Sequence, residues 1–328
     1  MDDLRNQLIN GRYRVSEELG IGGMAQVCLA RDLRLGRDVI LKLVRIELLA
    51  SSEGTSVREQ FLHEANLMLR LRHPNLEAIY EYGEYQGRPF MVLEPLLNSS
   101  LSRRMHEFHD HQSAATLLAV IADGLQHMHD LRIVHCDVKP DNILFDANDV
   151  PKLADFGIAR LLPQPRQTQE PEDQQLPPFV QGTPQYMAPE LWFNQPCPQS
   201  DQYALGVTLY ELLTREWPFS GTSALETGEE HLNRPIPLPS ALLPDLPPEV
   251  DAVIGCLLAK QPQDRYTTMA DAARALRMLA DVPLSEGEKE RRKSLIQQKQ
   301  RRRWWRWLLL SAAVLLLVGV IVTILLVW

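Results

Sequence analysis

The sequence predicts an α+β chain made of two lobes, followed by a separate apolar segment near its C-terminus. Up to about residue 96, runs of β-branched and aromatic residues alternate with turn residues such as Gly83 and Gly87, which is typical of strands. Helical spacing of apolar residues begins at Leu101 and continues across residues 113–131. This change predicts a boundary near residue 96 between a sheet lobe with one helix and a mainly helical lobe.

The N-terminal lobe is expected to hold five strands and one helix. The strands are predicted at residues 13–19, 27–30, 37–44, 76–82 and 88–94, and the helix at residues 57–69. The first two strands flank a glycine-rich turn, and this strand-turn-strand order differs from the strand-turn-helix of a Rossmann site. Gly20 and Gly22 would remove Cβ atoms from a backbone that closes over phosphates.

One lysine, Lys42, lies in the middle of the apolar strand at residues 37–44. A buried ammonium group is costly unless an opposite charge compensates it. The predicted partner is Glu64, which lies on the helix at residues 57–69.

The richest chemistry lies in residues 133–142, where Asp137, Lys139 and Asn142 stand two and three residues apart. A carboxylate, an ammonium group and an amide on one loop can hold a hydroxyl group and a divalent metal. Asp155 follows Asn142 by thirteen residues and begins an Asp-Phe-Gly tripeptide.

Eight such motifs, in order between residues 20 and 265, resemble the bacterial eukaryotic-like (Hanks-type) Ser/Thr protein kinases, and the resemblance covers residues 11–281. It implies the bilobal protein-kinase fold, with an N-lobe at residues 11–96 and a C-lobe at 97–281. Residues 182–190 match the end of a kinase activation segment, whose Glu190 would pair with Arg265, and Asp201 would hold the backbone of the catalytic loop.

The resemblance also assigns the active site. It implies Asp137 as base, Lys139 as the group that neutralises the moving phosphoryl group, and Thr183 as a bridge between them, with Mg²⁺ or Mn²⁺ held by Asn142 and Asp155. Lys42 would hold the ATP phosphates, oriented by Glu64. The remaining ATP-binding positions would be Gly20, Ile21, Gly22, Gly23, Met24, Ala25, Gln26, Val27, Ile40, Leu93, Glu94, Leu96 and Leu144. His135 would pack against Phe156 in an apolar column with Met68 and Ile79.

Three positions depart from the family pattern. Ala25 replaces the third glycine of the turn, and Ile40 replaces the alanine above the adenine slot, which would narrow it. Cys136 replaces the arginine that binds a phosphate on the activation loop. Because cysteine cannot do this, we expect activity without phosphorylation of Thr168, which is the only Ser or Thr between Asp155 and Gly182.

Two other functions remain open from the sequence. A pseudokinase would bind partners at the membrane without catalysis, and the narrowing at Ile40 keeps this alternative. A small-molecule phosphotransferase of the same fold, such as an aminoglycoside kinase, would lack the activation segment found at residues 182–190.

Composition limits the compartment and the partners. Four cysteines without a Cys-x-x-Cys motif suggest neither a disulfide framework nor a zinc site, and no secretory signal peptide is expected at the N-terminus. The net charge is −8, yet residues 289–306 carry nine Lys or Arg and one acid, so the remainder carries −16. An acidic body argues against nucleic acid as a partner.

The apolar segment, residues 308–327, contains twenty residues without a charge and is flanked by tryptophans. Its helical length of about 30 Å matches a bilayer core. We therefore predict a basic juxtamembrane linker at residues 282–306, drawn to anionic lipid through residues 289–306, and a transmembrane helix at 307–328. The positive-inside rule places the kinase domain on the cytoplasmic side of the inner (plasma) membrane, where cytoplasmic proteins are the substrates and a cognate phosphatase is a further expected partner. No extracytoplasmic domain is expected.

Overall fold

The computed structural model describes residues 4–52, 54–162 and 182–293. Its N-terminal part is a six-stranded antiparallel sheet with the order β1-β2-β3-β4-β6-β5. The strands are β1 Leu8–Ile9, β2 Tyr13–Ile21, β3 Ala25–Asp32, β4 Arg37–Val44, β5 Ile79–Tyr85 and β6 Arg88–Leu93. A short helix, α1 Ile46–Leu49, leads from β4 into α2 Gly54–Met68, which packs on the sheet.

Side chains of β4 alternate between two cores, as the pleat of a strand requires. Val39, Leu41 and Leu43 belong to an outer core that also contains Tyr13 and Phe90. On the other face, Ile40 and Val44 join the main core, which reaches α2 and continues into the second lobe. Lys42 lies between these two in sequence and therefore faces α2.

One strand lies three residues later in the chain than the sequence predicts, at Ile79–Tyr85 instead of residues 76–82. Residues 76–78 do not extend β5, because they bind the second lobe instead: the Glu77 N–H donates to the Leu153 carbonyl at 2.9 Å and the Leu153 N–H donates to the Asn75 carbonyl at 2.9 Å. This segment therefore runs along the back of the space between the lobes. The prediction that the strand begins at Leu76 is wrong, because these hydrogen bonds hold residues 75–77 against Leu153 of the second lobe.

The second lobe is mainly helical, as expected. Its helices are α3 Leu101–Arg104, α4 His111–Asp130, α5 Pro198–Thr214, α6 Ala224–Asn233, α7 Pro239–Leu242, α8 Pro248–Leu257 and α9 Met269–Asp281, and its short strands are β7 Ile133–Val134, β8 Ile143–Phe145, β9 Pro151–Leu153 and β10 Arg160–Leu161. Helix α5 is buried from Ser200 to Leu213. It forms the centre on which the loop at residues 133–142 rests.

The second lobe continues past α9. Residues 286–293 are helical, and Glu288 is completely buried against the start of α4. Its carboxylate accepts from the His111 backbone N–H at 3.2 Å and lies 2.8 Å from His111 Nδ1. Burial lowers the pKa of His111, but this carboxylate outweighs burial and the net pKa is raised. The first residues of the predicted linker are thus part of the folded lobe.

Among the residues that the structure describes, no helix is long and apolar enough to cross a membrane. The predicted transmembrane helix and Thr168 both lie outside those residues.

Candidate active site

A cleft of about 690 Å³ lies between the two lobes, within the size range of small-molecule sites. Its walls come from the β2–β3 turn, β4, the end of β6, β8 and the Asp155–Gly157 segment. Ten of the predicted ATP-binding residues line it: Gly22, Gly23, Met24, Ala25, Val27, Ile40, Lys42, Leu93, Leu96 and Leu144. The cleft is open despite Ile40, which sits opposite Leu93 in the β4–β6 pairing.

Four predicted positions, Gly20, Ile21, Gln26 and Glu94, do not contribute to the lining. The Gln26 side chain lies on the other face of β3, where it donates to Glu18 at 2.7 Å and accepts from Arg88 at 3.2 Å. The Glu94 carboxylate turns away to Lys152, whose Nζ is 3.1 Å distant; the predicted contact of Glu94 with adenine is through its backbone, so it stays a prediction. Strand alternation and this ion pair explain why these side chains leave the cleft.

The glycine-rich turn is a hairpin closed by a hydrogen bond of 2.8 Å from the Gly22 N–H to the Ala25 carbonyl. A Cβ at Gly20 or Gly23 would meet open space, and at Gly22 it would make only an ordinary contact with the Ala25 carbonyl at 3.5 Å. The fold therefore has no steric need for glycine here. The free space fits a ligand that approaches the backbone, as phosphates do.

At the inner end of the cleft, three carboxylates surround one lysine. Lys42 Nζ lies 2.7 Å from Glu64 and 3.5 Å from Asp155, and Glu77 lies within electrostatic reach. We call Lys42, Glu64, Glu77 and Asp155 the inner cluster. Burial lowers the pKa of Lys42, but Glu64 and Asp155 outweigh it and raise the net pKa, so the ammonium stays charged.

The inner cluster has unused acceptors. Glu64 is 2% exposed, and its Oε2 has no hydrogen-bond partner among the described residues. Burial raises the pKa of Glu64, and Lys42 offsets this only in part. Asp155 has a left-handed backbone, with φ of 63°, a strained conformation that is common at functional sites. The inner cluster thus contains more carboxylate oxygens than its one lysine can neutralise. Such an excess of oxygen acceptors is compatible with the binding of a divalent metal ion.

A second group of polar residues lies on the loop after β7. Lys139 Nζ donates to Asp137 Oδ2 at 2.7 Å and to Thr183 Oγ1 at 2.6 Å, and Thr183 Oγ1 donates to Asp137 Oδ1 at 3.1 Å. Asn142 Nδ2 donates to Asp137 Oδ2 at 2.9 Å. We call Asp137, Lys139, Asn142 and Thr183 the loop cluster. Gly182, next to Thr183, lines the cleft and so joins the two clusters.

The loop is anchored from below by α5. Asp201, which is fully buried, accepts hydrogen bonds of 2.9 Å from the backbone N–H groups of His135 and Cys136. Cys136 has a φ of 66°, and burial raises the pKa of its thiol well above the usual value. The His135 ring contacts Phe156 edge-on at 5.2 Å. These contacts fix the loop in the position that the sequence predicts.

The activation-segment end is fixed by an ion pair. Arg265 donates to both oxygens of Glu190, at 2.7 and 2.9 Å, and both side chains are buried. Gly182 has a φ of 128°, and a Cβ there would come within 2.9 Å of Met187. This positive φ favours glycine at the turn, which brings Thr183 to Asp137.

The sequence prediction missed several lining residues. These are Leu19, Gln60, Glu77, Leu97, Ala154, Gly157, Ile158 and Gly182. Leu19, Ala154 and Leu97 adjoin predicted positions and could have been found from them. No sequence pattern predicts that Glu77 lines the cleft, because its position depends on the hydrogen bonds between residues 75–77 and β9.

Residues 13–277 match the protein kinase domain family. A probable serine/threonine-protein kinase of Corynebacterium efficiens is 34% identical over 284 residues, which are 83% of this chain and 42% of that protein. Serine/threonine-protein kinase PknB of Mycolicibacterium smegmatis is 38% identical over 273 residues, which are 81% of this chain and 42% of that protein. PknB of Mycobacterium tuberculosis is 37% identical over 272 residues, which are 80% of this chain and 42% of that protein. The matched region is thus less than half of each relative, but it contains both clusters, and this chain belongs to the protein kinase domain family.

Proposed function

We propose that this chain is a Ser/Thr protein kinase that transfers the γ-phosphate of ATP to hydroxyl groups of cytoplasmic proteins. The observation that carries this proposal is the hydrogen-bonded cycle of Asp137, Lys139 and Thr183 beside a cleft that ends in Lys42 and Glu64. Serine/threonine-protein kinases among its relatives support the substrate class.

Each polar group has a proposed task. Asp137 accepts the proton of the substrate hydroxyl, and Lys139 and Thr183 hold its carboxylate in place. Lys42, oriented by Glu64, binds phosphate oxygens, while Asn142 and Asp155 hold Mg²⁺ or Mn²⁺. ATP supplies the phosphoryl group, and the metal neutralises its negative charge.

The test is transfer of labelled phosphate from [γ-³²P]ATP with Mg²⁺ to a generic basic protein. Lys42→Ala and Asp155→Ala should each abolish transfer, and Asp137→Asn should lower it at least 100-fold, because it removes the base. Wild-type-like activity of any of these purified variants would overturn the proposal. A wild type that labels a small-molecule acceptor and no protein would favour a small-molecule phosphotransferase, and one that binds ATP without transfer would favour a pseudokinase.

We further propose that residues 308–327 anchor the kinase domain to the cytoplasmic face of the inner membrane, with residues 289–306 against anionic lipid. The support is the uncharged length of the segment and the preceding net charge of +8.

Truncation tests the anchor. A chain that ends at Lys293 keeps the buried Glu288–His111 contact, and we expect it to be active and to remain in the supernatant after carbonate washing of membranes. A matched full-length control with Leu316→Arg should lose membrane retention in part, since a central arginine costs about 3 kcal/mol. Pelleting of the truncated chain with washed membranes would contradict the proposal.

A further inference from the structure

His231 is a completely buried histidine on α6. Its ring packs against Phe219, with ring centroids 4.9 Å apart, and its backbone carbonyl accepts a hydrogen bond of 2.7 Å from Lys260 Nζ. Burial lowers the pKa of His231 to about 4, and the Lys260 ammonium group acts in the same direction. The imidazole is therefore neutral at physiological pH, so that one ring nitrogen carries a proton and the other accepts.

The two ring nitrogens of His231 have different neighbours. Nδ1 lies 2.9 Å from the hydroxyl oxygen of Tyr203 on α5. Nε2 is buried and makes no hydrogen bond of ordinary geometry within the described part of the chain. Helix α6 packs against residues 184–186, and the backbone carbonyls of Gln185 and Pro184 act on the ring as acceptors, which opposes the fall in its pKa.

These neighbours determine which nitrogen carries the proton. A proton on Nδ1 would leave a bare Nε2 beside carbonyl oxygens, and acceptors that meet in a buried place cost free energy. With the proton on Nε2, the Tyr203 hydroxyl donates to Nδ1, and Nε2–H is a donor for a carbonyl group. Gln185 is the freer acceptor, because the Pro184 carbonyl already accepts from the Met187 N–H at 3.3 Å.

The segment at residues 184–186 lies where a protein substrate would pass. It follows Thr183 directly, and Thr183 Oγ1 donates to the proposed base Asp137 at 3.1 Å. A substrate hydroxyl at Asp137 would place its neighbouring residues beside Pro184 and Gln185, which are both partly exposed. Hydrogen bonds that serve a reaction are often long or poorly aligned without substrate and shorten in the complex.

Tyr203 connects His231 to the far end of the same segment. Its ring lies 4.8 Å from the Arg265 guanidinium carbon, and Arg265 donates to both oxygens of Glu190. A complete ion pair thus fixes the chain at Glu190, and His231 offers its donor at the end next to Thr183.

We propose that His231 is a positioning residue for the protein substrate: its Nε2–H donates to the Gln185 carbonyl and holds residues 184–186 in the place that the substrate chain contacts. The inference rests on the proposed function, because it assumes that a protein hydroxyl reaches Asp137. The rival explanation is that the His231 ring only fills space in the core.

Two substitutions of similar size separate these roles. Packing alone favours leucine over glutamine at a fully buried position, since an unpaired amide is costly there. The hydrogen-bonding role favours glutamine, whose amide supplies an acceptor for Tyr203 and a donor for Gln185. We therefore expect KM for a generic basic protein to rise at least about fivefold in His231→Leu and to stay within about twofold of wild type in His231→Gln.

Steady-state phosphate transfer from [γ-³²P]ATP with Mg²⁺ gives KM for the protein, KM for ATP and kcat. His231 does not line the cleft, so KM for ATP and kcat should stay within about twofold of wild type in both variants. Tyr203→Phe keeps the ring but removes the hydroxyl that fixes the tautomer, and should raise KM for the protein about threefold. The control is His63→Leu, which replaces an exposed histidine on α2 and should change none of the three constants.

Equal values of KM for the protein in His231→Leu and His231→Gln, or a higher value in His231→Gln, would overturn the inference and leave the kinase function standing. If neither variant folds, Tyr203→Phe decides the matter, since an unchanged KM for the protein in that variant also overturns the inference. Wild type that transfers no phosphate to protein would overturn the kinase function itself.

Discussion

The inner cluster and the loop cluster both hold a lysine against carboxylates, but they differ in balance. In the loop cluster, one carboxylate meets three donors, from Lys139, Asn142 and Thr183, at 2.7 to 3.1 Å. In the inner cluster, Lys42 pairs with Glu64 and Asp155 and lies within electrostatic reach of Glu77, and Glu64 Oε2 has no hydrogen-bond partner among the described residues. The loop cluster is complete by itself, and the inner cluster is short of donors and cations.

This difference implies that the two clusters respond differently when a ligand binds. A complete cluster keeps the proposed base in one position before any ligand arrives, which lowers the cost of reaching the reactive geometry. An incomplete cluster stores unfavourable charge that a ligand can relieve on binding. Hydrogen bonds are therefore complete around the proposed base Asp137, whereas the inner cluster, where the proposed nucleotide and metal would bind, lacks donors and cations.

The largest expected effect tests the dependence of the buried Glu64 carboxylate on its ion pair with Lys42. Lys42→Ala leaves a carboxylate that is 2% exposed without a counterion, so the free energy of unfolding should fall by about 3 kcal/mol. Lys139→Ala should cost under about 1 kcal/mol, because Asp137 keeps its bonds from Asn142 and Thr183. Urea unfolding of both variants measures the contrast.

The matched control is Lys42→Ala combined with Glu64→Gln, which removes the unpaired charge and should recover at least half of the loss. Equal destabilisation by the two lysine substitutions would show that the clusters do not differ in balance.

The second prediction concerns the pH dependence of stability at Glu77. Its pKa is about 8 in the folded chain, against 4.5 ordinarily, so the folded state binds a proton that the unfolded state releases between these values. The free energy of unfolding therefore falls as pH rises from about 4.5 to 8. Glu77→Gln removes this loss, and its stability advantage over wild type should grow by about 2 kcal/mol between pH 5.5 and 7.5.

Denaturant unfolding at the two pH values measures this advantage, with Glu59→Gln as the exposed comparison. A constant difference between Glu77→Gln and wild type would mean that Glu77 is ionised in the folded protein, and the inner cluster would then carry its full negative charge at neutral pH.

The smallest effects concern two threonines. Thr183→Ala removes a donor to Asp137 and should lower kcat/KM at least tenfold, about 1.4 kcal/mol. Thr168→Ala should stay within about threefold, under ~1 kcal/mol, because Cys136 offers no guanidinium to a phosphate at Thr168. Activity is measured after phosphatase treatment and removal of the phosphatase, with phosphorylation followed by mass spectrometry. Activity that returns only as Thr168 is rephosphorylated would refute this interpretation of Cys136.

Much of the site follows from short-range patterns. The spacing of Asp137, Lys139 and Asn142 along six residues predicts one cluster, because so short a loop keeps their side chains close. The apolar strand around Lys42 predicts a buried ammonium group in need of a carboxylate, and helical periodicity places Glu64 on the helix that packs there. These inferences depend on local geometry and on the cost of burying charge, and a sequence carries both.

The tertiary structure decided what depends on contacts between distant residues. Glu77 reads as part of a strand, and it enters the cleft only because residues 75–77 exchange hydrogen bonds with Leu153, more than seventy positions away. Glu288 reads as part of a basic linker, yet it is buried against His111, 177 residues earlier in the chain. Strand and helix periodicity describes which face of an element is apolar, but it does not determine which partner covers that face. Only the packed fold selects those partners, and in doing so it placed a carboxyl group at the back of the cleft and extended the second lobe beyond α9.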